Sequence, residues 1–199
     1  MARVLVVGAT GYLGSHMVAE LKAAGHWVRA LSRRKDAFDA GAQAPNEIFV
    51  GQATRPETLT GLCDGIDYVF SALGLTRQKE NLSFWDVDYK ANKNVLDLAV
   101  AGEVKQFLFI SVVRPGLSAD LDIVAAREAL VRDMTAAPIA HTVVRATGFF
   151  RTCANSLTWP GAVGSGWSAA GQRELTRLTA AMWPAPPLLP SAPERRRSR

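Results

Sequence analysis

The residues of this chain best suited to chemistry are three glycines at a fixed spacing, in Gly8-Ala9-Thr10-Gly11-Tyr12-Leu13-Gly14. Gly8 can take the positive φ of a tight turn, Gly11 leaves the backbone open to a pyrophosphate, and Gly14 lets a following helix lie close to the strand before it. The N–H groups at the start of such a helix lack partners and its dipole is positive there, so the turn is a cradle for phosphate. The spacing is GxxGxxG rather than the commoner GxGxxG.

The surrounding elements decide whether that turn is more than packing. Val4-Leu5-Val6-Val7 precedes it as a buried strand, a helix carrying His16 through Lys22 follows, and a second strand, Trp27 to Leu31, arrives within a βαβ length. Further strands are predicted at Glu47 to Val50, Asp67 to Ala72, Gln106 to Ser111 and His141 to Arg145. Between them lie a short helix near Glu57 to Leu62, a long one from about Phe84 to Ala101, and a third around Asp122 to Ala136. Continuous apolar strands alternating with helices predict an α/β fold, a doubly wound parallel sheet of about six strands covered on both faces. The ligand crevice then falls at the switch point beside Gly8 to Gly14.

Composition narrows the function classes. A chain of 199 residues with 48% apolar content can bury one core. No apolar run is long enough to span a membrane and no secretory signal precedes the first strand, which predicts a cytoplasmic protein. Cys63 and Cys153 are too few and too far apart for a disulfide framework, and with His26 and His141 they form no metal-ligand spacing, so reduced thiols and no metal are expected. The net charge of +5 lies wholly after residue 150, where seven arginines face two glutamates. The first 150 residues are neutral, so nucleic acid is not an expected partner.

GATGYLG, the arginine pair after the second strand, SALG at the fourth, VDYKANKNVLDLA on the long helix, FLFISVV at the fifth strand and VVRATGFF at the sixth together resemble the atypical short-chain dehydrogenase/reductases, in their NmrA-like NAD(P)H-binding branch. The resemblance covers about residues 2 to 150 and implies a Rossmann domain holding NADP or NAD, used either for reduction of a small-molecule substrate or, in regulator-like members, for sensing the cofactor. It places cofactor contacts at Gly8, Thr10, Gly11, Tyr12, Leu13 and Gly14, at Ser32, Arg33 and Arg34, and at Gln52, Ala72, Leu73 and Gly74. An acidic residue at the end of the second strand would accept bonds from the ribose hydroxyls of NAD and repel a 2′-phosphate. Ser32, Arg33 and Arg34 stand there instead, which favours NADP over NAD, the alternative being a solvated basic turn. Many relatives have an Asp where this chain has Gln52, whose amide can still hydrogen-bond adenine.

The family's usual catalytic pair is incomplete. Typical members use a Tyr as proton donor with a Lys four residues later lowering its pKa; by position after Ser111 this chain offers Ile123 and Arg127. Ser111 could polarise a substrate and Arg127 could hold the nicotinamide ribose, or Ser111 is a strand-end hydroxyl bonded to backbone and Arg127 a solvated helix residue. The readings that follow are an NAD(P)-dependent oxidoreductase lacking its usual acid, or a non-catalytic sensor of NAD(P)H.

After Phe150 the periodicity stops, and three of the five tryptophans and six of the ten prolines fall in the remaining segment. The resemblance implies a continuation beyond GFF like SDMREFLDMARRGR and later NPIDGGDVA. Read one nucleotide back, the codons of Trp159-Pro160, Met182-Trp183 and Trp183-Pro184 must give Ala, Val and Ala, which fit those segments. Synonymous codons permit the whole of both, over Phe150 to Val163 and Leu175 to Pro184. The sequence thus predicts an NAD(P)-binding domain over residues 1–150 and a non-native, poorly ordered tail over residues 151–199, with one short helix near Gln172 to Met182.

Overall fold

The computed structural model describes residues 1–41, 43–75, 81–112 and 121–146. The expectations for residues 151–199 lie outside them. Six strands form one sheet: β1 (Arg3–Val7), β2 (Trp27–Ser32), β3 (Glu47–Val50), β4 (Tyr68–Ser71), β5 (Gln106–Val112) and β6 (Ala140–Ala146). Their order is β3-β2-β1-β4-β5-β6 and every pairing is parallel. The chain runs outward from β1 to β3 and then returns to β4 on the other side of β1. That reversal opens a crevice between β1 and β4 at their C-terminal ends.

The central strands are buried on both faces, which is why they read as unbroken apolar runs. Val4 and Val6 of β1 face helix α1 (Tyr12–Ala23) and pack with Met17, Val18 and Leu21. Leu5 and Val7 face the opposite way, into a layer that includes Leu96 of α2 (Asn92–Ala101) and Leu130 and Met134 of α3 (Asp122–Ala136). Cys63 is buried in this second layer, and burial pushes its thiol up to about 12, so it sits there as a small apolar group.

Two elements differ from expectation. The helix anticipated near Glu57 to Leu62 is a single 3-10 turn, Pro56–Thr58. The Thr58 hydroxyl there donates to the Arg55 carbonyl at 2.8 Å and accepts the Gln52 N–H at 2.9 Å. Such side-chain bonds give the backbone an alternative to continuing a helix. The long helix expected from Phe84 begins as a π-helix, Trp85–Ala91, before α2 takes over. Ser83 starts it: its hydroxyl donates to Asp86 Oδ2 at 2.6 Å and accepts the Asp86 N–H at 3.1 Å.

Candidate functional site

A cleft of about 390 Å³ lies at the switch point. Its floor is the turn after β1. Gly8 has φ +75°, and a Cβ added there would sit 2.9 Å from the carbonyl carbon and oxygen of Ala72. Gly8 accepts a hydrogen bond from the Gly11 N–H at 3.0 Å, which closes the turn and aims α1 at the cleft. Gly14 is buried, and a Cβ there would collide with the Gly8 carbonyl, so this third glycine sets how closely α1 approaches β1. No side chain caps α1 at Gly11 and its first turn carries no acid, which leaves the positive end of the helix dipole available to an anion. A turn packed tightly on backbone at Gly8 and Gly14, with Gly11 exposed at an uncapped helix start, fits the pyrophosphate of a dinucleotide.

On the β2–β3 side the cleft is lined by Ser32, Arg33 and Gln52. Ser32 is buried and its hydroxyl accepts the Arg34 N–H at 3.1 Å, turning the chain so that Arg33 and Arg34 are both exposed. Arg33 borders the cleft, and Arg34 follows just outside it. The Gln52 side-chain amide donates to Thr54 Oγ1 at 2.9 Å, which orients its carbonyl oxygen away from Thr54. On the β4 side Leu73, Gly74 and Leu75 line the cleft, facing Val87 and Ala91 of the π-helix.

Of the predicted contact residues, Gly8, Thr10, Ser32, Arg33, Gln52, Leu73 and Gly74 therefore come together around one space. Leu13 and Ala72 pack instead against the α1-side core, and Tyr12 turns its ring edge-on to His16 with centroids 4.8 Å apart. Gly11 is exposed at the mouth of the turn.

The two catalytic candidates, Ser111 and Arg127, have other partners than expected. Ser111 is buried and donates to the carboxylate of Glu128 at 3.3 Å, not to backbone. Arg145 grips that same carboxylate with two contacts, at 2.5 and 2.9 Å. This pairing holds the Glu128 carboxyl below its usual range, with burial opposing it. Arg127 is not a solvated helix residue, since its side chain is only 15% exposed. Its Nε and Nη2 reach Asp88 Oδ1 at 2.8 and 2.7 Å, and its Nη1 donates to the Ile110 carbonyl at 3.0 Å.

Behind the cleft wall stand Asp88 and Asn92, for which the sequence predicts no role. Both are fully buried. Asp88 Oδ2 accepts the Leu75 N–H at 3.0 Å, and burial pushes its carboxyl up against the opposing pull of Arg127 and that N–H. Asn92 accepts the Ser71 hydroxyl at 2.5 Å and donates to the Leu73 carbonyl at 3.3 Å. The available signal was two polar residues, four apart, on the otherwise apolar stripe of Val87, Ala91, Val95 and Ala99.

A family model for NAD(P)H-binding proteins matches residues 8–152. The chain belongs to this NAD(P)H-binding family. Its motif resemblance to the atypical short-chain dehydrogenase/reductases thus holds, and the six-stranded Rossmann sheet agrees. Among curated relatives, the photosystem II assembly factor Ycf39 of Synechocystis sp. is 29% identical over 153 residues, covering 75% of this chain and 45% of the relative. The divinyl chlorophyllide a 8-vinyl-reductase of Zea mays is 28% identical over 163 residues, covering 75% of this chain and 41% of the relative. The chain spans about half the length of the curated relatives it matches. Among solved structures, a putative NAD-dependent epimerase/dehydratase of Bacillus halodurans superposes with a TM-score of 0.60 at 21% identity, covering 73% of this chain and 70% of that one. The Thermus thermophilus UDP-glucose 4-epimerase, solved as a complex with NAD, gives 0.57 at 18%, covering 72% and 54%. At such identities these two neighbours of the NAD(P)H-binding domain speak to its fold.

Proposed function

We propose that the cleft takes NADP in preference to NAD, and that the chain is an NADP-holding unit of oxidoreductase type, cytoplasmic in location. The observation that carries this reading is the end of β2, where exposed Arg33 borders the cleft, Arg34 follows, and no carboxylate occupies Ser32 to Arg34. A guanidinium can donate charge-assisted bonds to a 2′-phosphate, and a carboxylate in its place would repel one. At an exposed site this is worth about 1–2 kcal/mol, or roughly tenfold in affinity. Titration should show NADPH binding more tightly than NADH, with the preference erased in Arg33→Ala/Arg34→Ala. Equal affinities in the unaltered chain would sink the assignment.

The chemistry such a cofactor supplies is hydride transfer, and a carbonyl acceptor then needs a proton. Of the three tyrosines in the sequence, Tyr12 opens α1, Tyr68 starts β4 at the far end of the sheet, and Tyr89 donates to Asp133 at 2.9 Å. That bond to Asp133 raises the Tyr89 pKa, the wrong direction for an acid. The expected proton-donor position is Ile123, on the first turn of α3. This favours a second reading, a non-catalytic sensor of NAD(P)H. The folded chain is accordingly expected to show no NADPH-dependent turnover of a simple ketone, and robust turnover would overturn that expectation.

A further inference from the structure

The cleft wall on the β4 side is fastened from behind by a buried ion pair, Asp88 with Arg127. Leu73, Gly74 and Leu75 form that wall. Asn92 holds the Leu73 carbonyl, and Asp88 holds the Leu75 N–H. Between them the guanidinium of Arg127 lies directly against Gly74: a Cβ added to Gly74 would meet Arg127 Nη2 first and Asp88 Oδ1 next. Arg127 cannot swing away, because Asp88 binds it through two nitrogens and the Ile110 carbonyl binds the third. Burying two charges is costly, and apolar side chains of similar volume would hold a wall without that cost. The pair also sits on the β4–β5 side of the switch point, opposite Ser32, Arg33 and Gln52.

We propose that Asp88 is a positioning residue for the nicotinamide half of the cofactor, acting by pinning Arg127 beneath Gly74 and so fixing the Leu73 to Leu75 wall. The inference rests on the dinucleotide reading above and extends it to one half of the ligand. Two opposing chains of causation separate it from ordinary packing. If the pair only stabilises the domain, removing it weakens every ligand of the cleft alike. If it shapes the β4–β5 side, ligands confined to the β2–β3 side are unaffected.

Two ligands make that distinction in the full 199-residue chain. NADPH fills both halves, whereas 2′,5′-ADP carries the adenosine and its 2′-phosphate but no nicotinamide. Asp88→Asn keeps an acceptor for the Leu75 N–H and removes the charge that grips Arg127. It should weaken NADPH by about tenfold, the cost of one charge-assisted contact, and leave 2′,5′-ADP within about twofold. Gly74→Ala tests the same contact from the other side, since its methyl displaces the pinned guanidinium. It should weaken NADPH as well, and the double variant should lose no more NADPH affinity than either single one, because both act through Arg127. Parallel loss of both ligands would reduce the pair to packing and overturn the proposal. Undiminished NADPH binding in folded Asp88→Asn or Gly74→Ala would overturn it too. If the unaltered chain bound neither ligand, the dinucleotide reading would fail first and this inference with it. Binding of 2′,5′-ADP by the unaltered chain keeps the two failures apart.

Discussion

Replacing Gly8 by alanine tests the phosphate turn at its tightest point. The residue has φ +75°, where a Cβ costs roughly 1–2 kcal/mol against the following carbonyl. The same Cβ would stand 2.9 Å from the carbonyl carbon and oxygen of Ala72 and 3.0 Å from the Leu73 nitrogen, all of them backbone. Ala72 cannot yield freely, because its N–H donates to Val7 at 3.0 Å at the end of the β1–β4 ladder. Forcing an extra carbon into such a contact costs about 1–3 kcal/mol, so the total is roughly 2–5 kcal/mol out of the 5–15 typical of a domain. The melting temperature should fall by roughly 5–20 °C, and NADPH affinity should fall as well because the floor of the cleft shifts. Gly25→Ala is the control. It has φ +79° but nothing within 4 Å of its added Cβ, so it bears the conformational cost alone and should leave binding intact. Thermal unfolding and NADPH titration of both variants decide the matter. A Gly8→Ala protein that melts and binds like the unaltered chain would refute the assignment of this turn, as would a Gly25→Ala protein that loses as much.

Glu128 supplies a pH dependence whose sign can be worked out. Its folded pKa is depressed below the ordinary 4.5, first by the hydrogen bonds from Arg145, so the stabilisation is present above about that value and is lost as pH falls through the folded pKa. Glu128→Gln should therefore be less stable than the unaltered chain at neutral pH, with the gap closing below pH 4.5 in acid unfolding; a gap that stays constant down to pH 3 would defeat the argument. For residues 151–199 the test is at the level of the gene. Sequencing across codons 145 to 190 should show that the neighbouring frame encodes NPIDGGDVA, and codons that forbid it would end the frame-slip account.

The parts of the fold legible in the sequence are those whose physics is local. β1 reads as a strand because all of Val4 to Val7 is buried, and β5 because Phe107 to Ile110 is buried on both faces. The glycine turn is legible because Gly8 and Gly14 occupy positions where any side chain would meet backbone. The 3-10 turn at Pro56–Thr58 escaped because what ended it was a threonine hydroxyl competing for Arg55 and Gln52, a choice that hydrophobic spacing does not record. The π-helical opening escaped for a similar reason: the apolar pair Val87 and Ala91, four apart, shares a face in either winding.

Charged residues inside the fold mark the limit of such reading most clearly. Arg29 interrupts the apolar run of β2. In the fold it is 8% exposed. Its guanidinium pairs with Glu47 at 3.0 Å, donates to the carbonyls of Gly61, Leu62 and Asp64, and lies near the rings of Trp27 and Phe49. Those carbonyls belong to a turn more than thirty residues away, so Arg29 is the cap that the turn itself lacks. Arg127 and Asp88, 39 residues apart, repeat the pattern at the cleft. In both places a charge is tolerated in the interior because it satisfies distant backbone groups, and only the fold can say which groups those are.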